Sequence, residues 1–241
     1  MQTRTALVTG AAQGLGQEFA VALAGRGYRV AGLDLAPQTE TAGKALDYLE
    51  LVADVTDEAQ VRAALGRVTD AFGTLHVVVN NAGVYPARPF EETTAEEWRR
   101  IMRVNLEAPF LVTQAALPHL KAAGWGRVVN IASAAVFTAP PDMVPYVASK
   151  TGLIGFTRAL AAALGPYGIT VNAIAPSMVR TATAERTVGA DGGFELVRSQ
   201  QVVPRTQETS DLVSTLLYVV DEGSGFLTGQ TLNVSGGSAF L

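Results

Sequence analysis

Near its start the chain reads Thr5-Ala6-Leu7-Val8-Thr9-Gly10-Ala11-Ala12-Gln13-Gly14-Leu15-Gly16. A short apolar run at 6–8 is followed by a glycine-rich turn, and apolar residues then recur at helical spacing from Phe19 to Ala24. This order predicts a strand, a tight turn and a helix. Glycines let the backbone approach a pyrophosphate, and the N–H groups of the following helix then face its negative charge. The candidate cofactor-binding residues of this turn are Gly10, Gln13, Gly14, Leu15 and Gly16.

Short apolar runs alternate with helical patterns along the rest of the chain. Strands are predicted at 29–33, 49–53, 76–79, 127–131, 169–174 and 230–234, and the longer helices at 56–72, 95–121, 144–164 and 211–220. Such alternation favours a doubly wound, mostly parallel sheet with helices on both faces. We therefore expect a single α/β domain over 1–241 with a seven-stranded, Rossmann-type sheet. Thr56 is the predicted N-cap of its helix, and the glycine-interrupted stretch at 181–207 is a predicted substrate-loop insert.

The composition excludes several classes of function. The 241 residues carry a net charge of −4 and no cysteine, which excludes disulfides, thiolate catalysis and cysteine-based zinc sites. His76 and His119 lie far apart, and we expect no metal. The sequence has no clustered basic face for nucleic acid, no run of 18 apolar residues and no signal-peptide-like start. We expect a cytoplasmic protein that acts on a small molecule, without a nucleic-acid or membrane partner.

Asp34 ends the second predicted strand, 18 residues after Gly16. A carboxylate at this position can accept both ribose hydroxyls of an adenosine, and it would repel the 2′-phosphate of NADP. Neither Leu35 nor Gln13 supplies a cation for that phosphate. The sequence therefore predicts NAD as the cofactor, with Asp34 and Leu35 beside the ribose. The alternative is a solvated or helix-capping aspartate.

Tyr146 and Lys150 lie four residues apart on a predicted helix and therefore share a face. A free phenol has a pKa of about 10 and is a poor base at neutral pH, but a nearby ammonium favours the phenolate. A tyrosine with a lowered pKa can exchange a proton with an alcohol or a carbonyl while a hydride moves. Ser133 follows the fifth strand, at the edge where open α/β sheets bind ligands, and its hydroxyl could share the substrate oxygen. Taken singly, the pair could be a surface contact and the serine a turn residue.

Together these motifs resemble the short-chain dehydrogenase/reductase family in its single-domain form, from Thr5 to about Gly237. The matching motifs are Thr9-Gly10-x-x-x-Gly14-x-Gly16, Asp54-Val55, Asn80-Asn81-Ala82-Gly83, Asn105, Ser133 and Tyr146-x-x-x-Lys150. The resemblance implies Tyr146 as the general acid/base and Ser133 as the residue that orients the substrate. It implies that Lys150 lowers the pKa of Tyr146 and binds the nicotinamide ribose. Asn105 would hold a water that extends a proton relay from Lys150.

The resemblance also implies further cofactor contacts. Asp54 and Val55 would meet the adenine, and Asn81 would support the central sheet beside the cofactor. Thr181 would bond the nicotinamide carboxamide, in a segment where Ser177 stands in place of the family's usual glycine. The other cofactor-binding residues implied are Ala82, Gly83, Pro176 and Val179.

Some segments are similar to particular members of the family. Residues 80–86, 124–127 and 173–183 resemble 1-phenylethanol dehydrogenases, and residues 132–133 and 156–161 are similar also to pyridoxal dehydrogenases. This similarity suggests an uncharged, ring-bearing secondary alcohol or ketone in an apolar pocket. A carboxylate or phosphate substrate would instead need arginines. The candidate substrate-binding residues are Ser133, Tyr146, Tyr85, Phe137, Met143 and Met178, and the nearby arginines are Arg88, Arg180, Arg186, Arg198 and Arg205.

Alternatives to an NAD-dependent alcohol dehydrogenase remain. An NADPH-linked ketone or 3-oxoacyl reductase of the same family is disfavoured by Asp34. A sugar-nucleotide epimerase or dehydratase needs a sizeable substrate domain after the sheet, and the sequence has seven residues after Val234. A catalytically inactive, cofactor-binding scaffold is disfavoured by the intact set of Asn105, Ser133, Tyr146 and Lys150. The family also implies a homotetramer, assembled through the helices at 95–121 and 144–164.

Overall fold

A seven-stranded parallel sheet forms the centre of the structure, a computed structural model that describes residues 3–186 and 192–240. The strands in chain order are β1 (Thr5–Thr9), β2 (Arg29–Asp34), β3 (Tyr48–Val52), β4 (Val77–Asn80), β5 (Gly126–Ile131), β6 (Ile169–Pro176), β7 (Val179–Arg180), β8 (Gln207–Glu208) and β9 (Thr231–Val234). The large sheet has the order β3-β2-β1-β4-β5-β6-β9, and every pairing in it is parallel. The predicted single-domain, doubly wound α/β fold is confirmed. Strands β7 and β8 form a separate parallel pair.

Helices cover both faces of this sheet. They are α1 (Gly14–Gly25), α2 (Thr39–Lys44), α3 (Glu58–Phe72), α4 (Ala95–Met102), α5 (Ala108–Ala123), α6 (Ala135–Thr138), α7 (Val144–Leu164), α8 (Ala182–Ala184), α9 (Gly193–Ser199) and α10 (Thr209–Val220). Successive side chains of a strand point to opposite faces. Leu7 of β1 therefore packs with residues of α3, α5 and α7, whereas its neighbours Ala6 and Val8 pack with α1 and α10. Strands buried on both faces explain the continuous apolar runs in the sequence.

The order of the strands reverses between β1 and β4. From β1 the chain winds outward to β2 and β3, and it then returns to the other side of β1 as β4. In open α/β sheets the crevice at such a reversal, beyond the carboxyl ends of the strands, is where ligands bind. The ends of β1 and β4 carry Thr9-Gly10 and Asn80-Asn81, so the two motifs meet at this crevice.

Several local predictions need correction. The helix predicted at 95–121 is interrupted, because a π-helical turn at Arg103–Glu107 separates α4 from α5. Asp57, not Thr56, caps α3, since its carboxylate accepts the N–H groups of Ala59 and Gln60 while the Thr56 hydroxyl donates to Asp54.

The insert predicted at 181–207 contains α8 and α9, and its residues 187–191 lie outside the described part of the chain. Pairing of β7 with β8 joins the two ends of this insert. Among the described residues, no helix is both long and apolar enough to cross a membrane.

Candidate active site

The glycine-rich turn brings the start of α1 directly onto the end of β1. Gly10 has a φ of +67°, which L side chains rarely adopt, and its N–H donates to the Leu33 carbonyl at 2.8 Å. A Cβ at Gly16 would lie 2.0 Å from the Gly10 carbonyl oxygen and 2.5 Å from Asn81 Nδ2. No side chain fits at Gly16, and the turn therefore exposes backbone at the crevice. This is the cradle that a pyrophosphate requires.

Asn81 and Thr9 tie the carboxyl ends of β4 and β1 together. The Asn81 amide donates to the carbonyls of Thr9 and Gly10 at 2.9 and 3.2 Å. The Thr9 hydroxyl accepts the N–H groups of Asn81 and Ala82, both at 3.0 Å. These contacts fix the width of the crevice at the strand reversal. Thr9 stands in the family motif, but sequence analysis predicted no separate role for it.

Asp34 lies at the end of β2, against the glycine-rich turn. Its two carboxylate oxygens accept the N–H groups of Ala12 at 2.9 Å and Ala36 at 3.0 Å. A carboxylate has about four acceptor positions, so it retains capacity for two hydroxyl donors. The neighbouring Leu35 side chain is 69% exposed. Asp34 and Leu35, at the end of β2, therefore fit an adenosine ribose, and neither supplies a cation for a 2′-phosphate.

Asp54 and Val55 follow β3 along the same edge of the sheet. One Asp54 carboxylate oxygen accepts both the N–H and the hydroxyl of Thr56 at 2.8 Å. Val55 is buried in the core beside α3. Further along the edge, Pro176 ends β6, and its carbonyl accepts the N–H of Ala134 at 2.7 Å.

Three side chains predicted to act together do lie together beyond β5. Tyr146 and Lys150 stand one turn apart on α7, and the Lys150 Nζ atom lies 5.9 Å from the centre of the Tyr146 ring. Ser133, at the end of β5, forms a side-chain hydrogen bond with Tyr146. Lys150 is buried, and its Nζ donates to the Ile131 carbonyl at 2.7 Å. Strand β5 and helix α7 therefore converge on the Tyr146 phenol.

The electrostatics of this group differ from the sequence prediction. Burial raises the pKa of the Tyr146 phenol, the hydrogen bond with Ser133 partly opposes that increase, and Tyr85 adds to it. Burial lowers the pKa of Lys150 to about 8. Lys150 is not among the groups that shift the pKa of Tyr146, and desolvation penalises both charged forms, so the predicted lowering of that pKa by Lys150 stays a prediction. Lys150 directs its ammonium at a carbonyl rather than at the phenol.

Asn105 lies in the π-helical turn and is completely buried. Its side-chain oxygen accepts the Val84 N–H at 2.9 Å, and its amide nitrogen donates to the Val84 carbonyl at 2.8 Å. The same nitrogen donates to the Ser149 hydroxyl at 3.1 Å. A Cβ at Gly83 would lie 3.3 Å from Asn105 Oδ1 and 3.5 Å from Lys150 Nζ, so Asn105 and Lys150 border one small space. Sequence reasoning missed Ser149, although its place between Tyr146 and Lys150 was a usable signal.

The predicted substrate-binding residues are only partly brought together. The rings of Tyr85 and Tyr146 meet edge to face, with centres 6.5 Å apart, and Tyr85 is 43% exposed. Phe137 packs against a buried cluster that includes Ile154, which makes it partly a core residue. Met143 directly precedes α7, and Met178 lies between β6 and β7. Tyr85 is the member of the set in ring contact with Tyr146.

The segment after β6 joins the crevice to the insert. The Thr181 hydroxyl accepts the Ala184 N–H at 3.1 Å, and its side chain borders Gly14 of the glycine-rich turn. The Ser177 N–H donates to the Val234 carbonyl, and its hydroxyl accepts from the Gln201 amide at 3.2 Å. Val179 lies in β7. Ser177 is thus accommodated in this tight segment, and its hydroxyl gains a hydrogen-bond partner, Gln201, in the insert.

Comparisons with known proteins agree with this arrangement. A family model described as enoyl-(acyl carrier protein) reductase matches residues 10–239. The chain is 37% identical to the (2S)-[(R)-hydroxy(phenyl)methyl]succinyl-CoA dehydrogenase subunit BbsD of Thauera aromatica, over 100% of this chain and 98% of that protein. It is 36% identical to the trans-4-hydroxycyclohexanecarboxylate dehydrogenase of Sinomonas cyclohexanicum, over 97% and 92%.

A solved structure of 3-ketoacyl-(acyl-carrier-protein) reductase from Brucella melitensis, complexed with NADH, matches with a TM-score of 0.93 at 28% identity, over 98% of each chain. The glycine-rich crevice, the residues beyond β5 and these relatives define a nicotinamide-dependent oxidoreductase. The chain belongs to the short-chain dehydrogenase/reductase family.

Proposed function

We propose that this protein is an NAD-dependent dehydrogenase that interconverts an uncharged, ring-bearing secondary alcohol and its ketone. One observation carries the proposal. The side chains of Ser133, Tyr146 and Lys150 converge at the carboxyl edge of the sheet. There Gly83 borders Lys150, and the preceding Ala82 borders Gly10 of the glycine-rich turn. That edge is where a proton-transferring group and a bound nicotinamide would face the same substrate atom.

The preference for NAD rests on Asp34. Its carboxylate is held in place by the N–H groups of Ala12 and Ala36, so moving it aside breaks both hydrogen bonds. A 2′-phosphate would meet this fixed negative charge. The carboxylate can instead accept ribose hydroxyls through its remaining lone pairs.

In the oxidation direction, the Tyr146 oxygen takes the hydroxyl proton of the substrate as the carbinol C–H bond breaks and the C=O bond forms. NAD⁺ held by the glycine-rich turn and Asp34 would supply the hydride acceptor, and its positive charge would favour the Tyr146 phenolate. The Ser133 hydroxyl holds the substrate oxygen beside the phenol. The buried Lys150 ammonium, with a pKa of about 8, can hold or release a proton near neutral pH. In reduction the Tyr146 proton returns to the substrate oxygen.

A ring in the substrate is supported by Tyr85, whose exposed ring stands beside Tyr146. The names of the Thauera and Sinomonas relatives also describe ring-bearing hydroxy compounds, although both of those compounds carry carboxylates. An uncharged substrate is supported by three of the five arginines that lie near the substrate segments in the sequence. Arg88, Arg180 and Arg205 are each paired with a carboxylate of this chain, and the N–O distances in these pairs are 3.1, 3.4 and 2.6 Å.

The substrate proposal is tested by comparing kcat/KM with NAD⁺ across a panel. The panel contains 1-phenylethanol, cyclohexanol, trans-4-hydroxycyclohexanecarboxylate, 3-hydroxybutyrate and a 3-hydroxyacyl thioester. We expect the two uncharged ring alcohols to be the best substrates. A preference of more than tenfold for a carboxylate would refute the uncharged substrate. The same preference for the thioester would favour a 3-oxoacyl reductase.

The role of Tyr146 is tested with Tyr146→Phe, which keeps the ring and removes the proton carrier. We expect kcat to fall by at least ~10²-fold, the lower end of the range for general acid–base catalysis. NADH binding, followed by fluorescence titration, should persist because the glycine-rich turn is untouched. The exposed Tyr218 on α10 gives a matched control, and Tyr218→Phe should leave kcat unchanged. Near-normal turnover of Tyr146→Phe would refute the mechanism.

We further propose that the protein is a homotetramer, as the family resemblance implies. An apolar groove of about 600 Å³ lies on the α4, α5 and α7 side of the molecule, away from the crevice. Trp98 and Phe110 in its lining are 39% and 44% exposed, and such patches commonly mark interfaces. The native mass in solution tests this, and a monomeric mass would refute it. The cytoplasmic location and the substrate role of the insert at 181–207 stay predictions.

A further inference from the structure

Ser149 is a completely buried hydroxyl on α7 that the mechanism above does not use. It lies between Tyr146 and Lys150 in the sequence. Its hydroxyl donates to the Tyr146 carbonyl at 2.7 Å and accepts from Asn105 Nδ2 at 3.1 Å. The hydroxyl therefore joins the first turn of α7 to the π-helical turn between α4 and α5.

Asn105 extends this link to the segment that follows β4. Its amide bonds both the N–H and the carbonyl of Val84, as a neighbouring strand would. Gly83 on one side of Val84 borders Lys150 Nζ, and Tyr85 on the other side contacts the Tyr146 ring. A continuous hydrogen-bonded path thus runs from the Tyr146 backbone through Ser149 and Asn105 to Val84. Val84 and Tyr85 form the wall of the site that faces the Tyr146 side chain.

The two turns also pack closely at a second point. A Cβ at Gly152 of α7 would lie 2.9 Å from a methyl group of Leu106, so the π-helical turn rests directly on the helix. Packing alone does not fix the rotation of one element on the other. The Ser149 hydroxyl supplies that constraint, since a hydrogen bond requires both a distance and a direction.

We propose that Ser149 is a positioning residue, which holds Tyr146 in register with Asn105 and with the wall formed by Val84 and Tyr85. The inference rests on the proposed function of Tyr146. Without the hydroxyl, the first turn of α7 is free to rotate relative to the Val84 segment. The phenol then leaves its place beside Ser133, and a displacement of about 1 Å can cost 10²-fold in rate.

The test compares Ser149→Ala with Thr151→Ala, a control on the same helix. The Thr151 hydroxyl makes the same kind of bond, to the Val147 carbonyl at 2.8 Å, but it is exposed to solvent. We expect kcat of Ser149→Ala to fall at least tenfold while its affinity for NADH changes less than twofold. Thr151→Ala should match the wild type in both. Equal kcat for the two variants overturns the proposal.

Two further readouts separate positioning from a merely structural role. Hydrogen exchange at the Val84 amide should become faster in Ser149→Ala and stay unchanged in Thr151→Ala. The pH dependence of kcat/KM for alcohol oxidation should move to higher pH, because the hydrogen bond with Ser133 opposes the high pKa of Tyr146. The titratable side chains that face the Tyr146 ring among the described residues are Lys150 and Tyr85. An unchanged pH profile and unchanged exchange overturn the proposal.

Ser149→Thr retains the hydroxyl and completes the series. It should recover most of the kcat lost in Ser149→Ala. If a folded Ser149→Thr does not recover it, the proposal that the hydroxyl positions Tyr146 is wrong. Tyr146→Phe is measured in parallel to keep the two ideas apart. An inactive Tyr146→Phe with a fully active Ser149→Ala overturns only this inference, whereas an active Tyr146→Phe overturns the proposed function.

Discussion

Substituting Gly16 by alanine tests whether the close approach of α1 to β1 builds the cofactor cradle. The added Cβ would start 2.0 Å from the Gly10 carbonyl oxygen, whereas ordinary van der Waals contact begins near 3.4 Å. The start of α1 must therefore move outward by about 1.4 Å. The obstructing atom belongs to the backbone, so no side-chain rotation can relieve the overlap.

This displacement should weaken both stability and cofactor binding. Overpacking of this kind costs about 1–3 kcal/mol, which corresponds to a Tm decrease of roughly 2–6 °C for a chain of this length. A misplacement of about 1 Å can cost 10²-fold where geometry is demanding. We expect Gly16→Ala to lose at least tenfold in NADH affinity, measured by fluorescence titration.

Gly25, in the last turn of the same helix, provides the control. A Cβ there would meet nothing within 4 Å. Gly25→Ala should leave NADH affinity unchanged and stabilise the protein by about 0.5–1 kcal/mol, since alanine favours helix more than glycine does. If Gly16→Ala binds NADH within threefold of the wild type at an unchanged Tm, the argument from steric contact is wrong.

Three other predictions follow from single contacts. Asp34→Ala combined with Leu35→Arg should raise the ratio of kcat/KM for NADP⁺ over NAD⁺ at least tenfold, equivalent to roughly 1.4 kcal/mol; an unmoved ratio would place Asp34 away from the ribose. Ser133→Ala should move the pH profile of alcohol oxidation to higher pH, because it removes the hydrogen bond that lowers the phenol pKa. Burial holds the pKa of His76 below 6.5 in the folded protein. The stability that His76 contributes is therefore present above pH 6.5, and it declines at lower pH because the unfolded chain binds the proton more readily. His76→Asn should flatten that decline in Tm.

The sheet was predictable because its five central strands, β1, β2, β4, β5 and β6, are largely buried on both faces. Short, continuous apolar runs such as Val77–Asn80 and Ile169–Pro176 are typical of parallel strands covered by helices on both faces. Parallel strands also place their carboxyl ends at one edge, so residues that follow different strands must meet. Ser133 after β5 and Asp34 at the end of β2 could therefore be assigned to one crevice without coordinates.

The electrostatics of the crevice could not be predicted in the same way. The sequence shows that Tyr146 and Lys150 share a helix face, and the attraction between a phenolate and an ammonium follows from that. It does not show how deeply each group is buried. In the structure Lys150 is 4% exposed and bonded to the Ile131 carbonyl, and burial opposes both charged forms. Desolvation depends on the packing of many residues, and the spacing of two residues does not reveal it.

The π-helical turn shows a different limit of sequence patterns. Apolar periodicity continues across 95–121, and it therefore predicts one helix through Asn105. A buried amide inside a helix, however, needs hydrogen-bond partners. The extra residue of the π-turn rotates Asn105 toward Val84 and Ser149, where all of its polar atoms are satisfied. Such turns occur often at functional sites, and a buried asparagine within a long apolar helix is a reason to expect one.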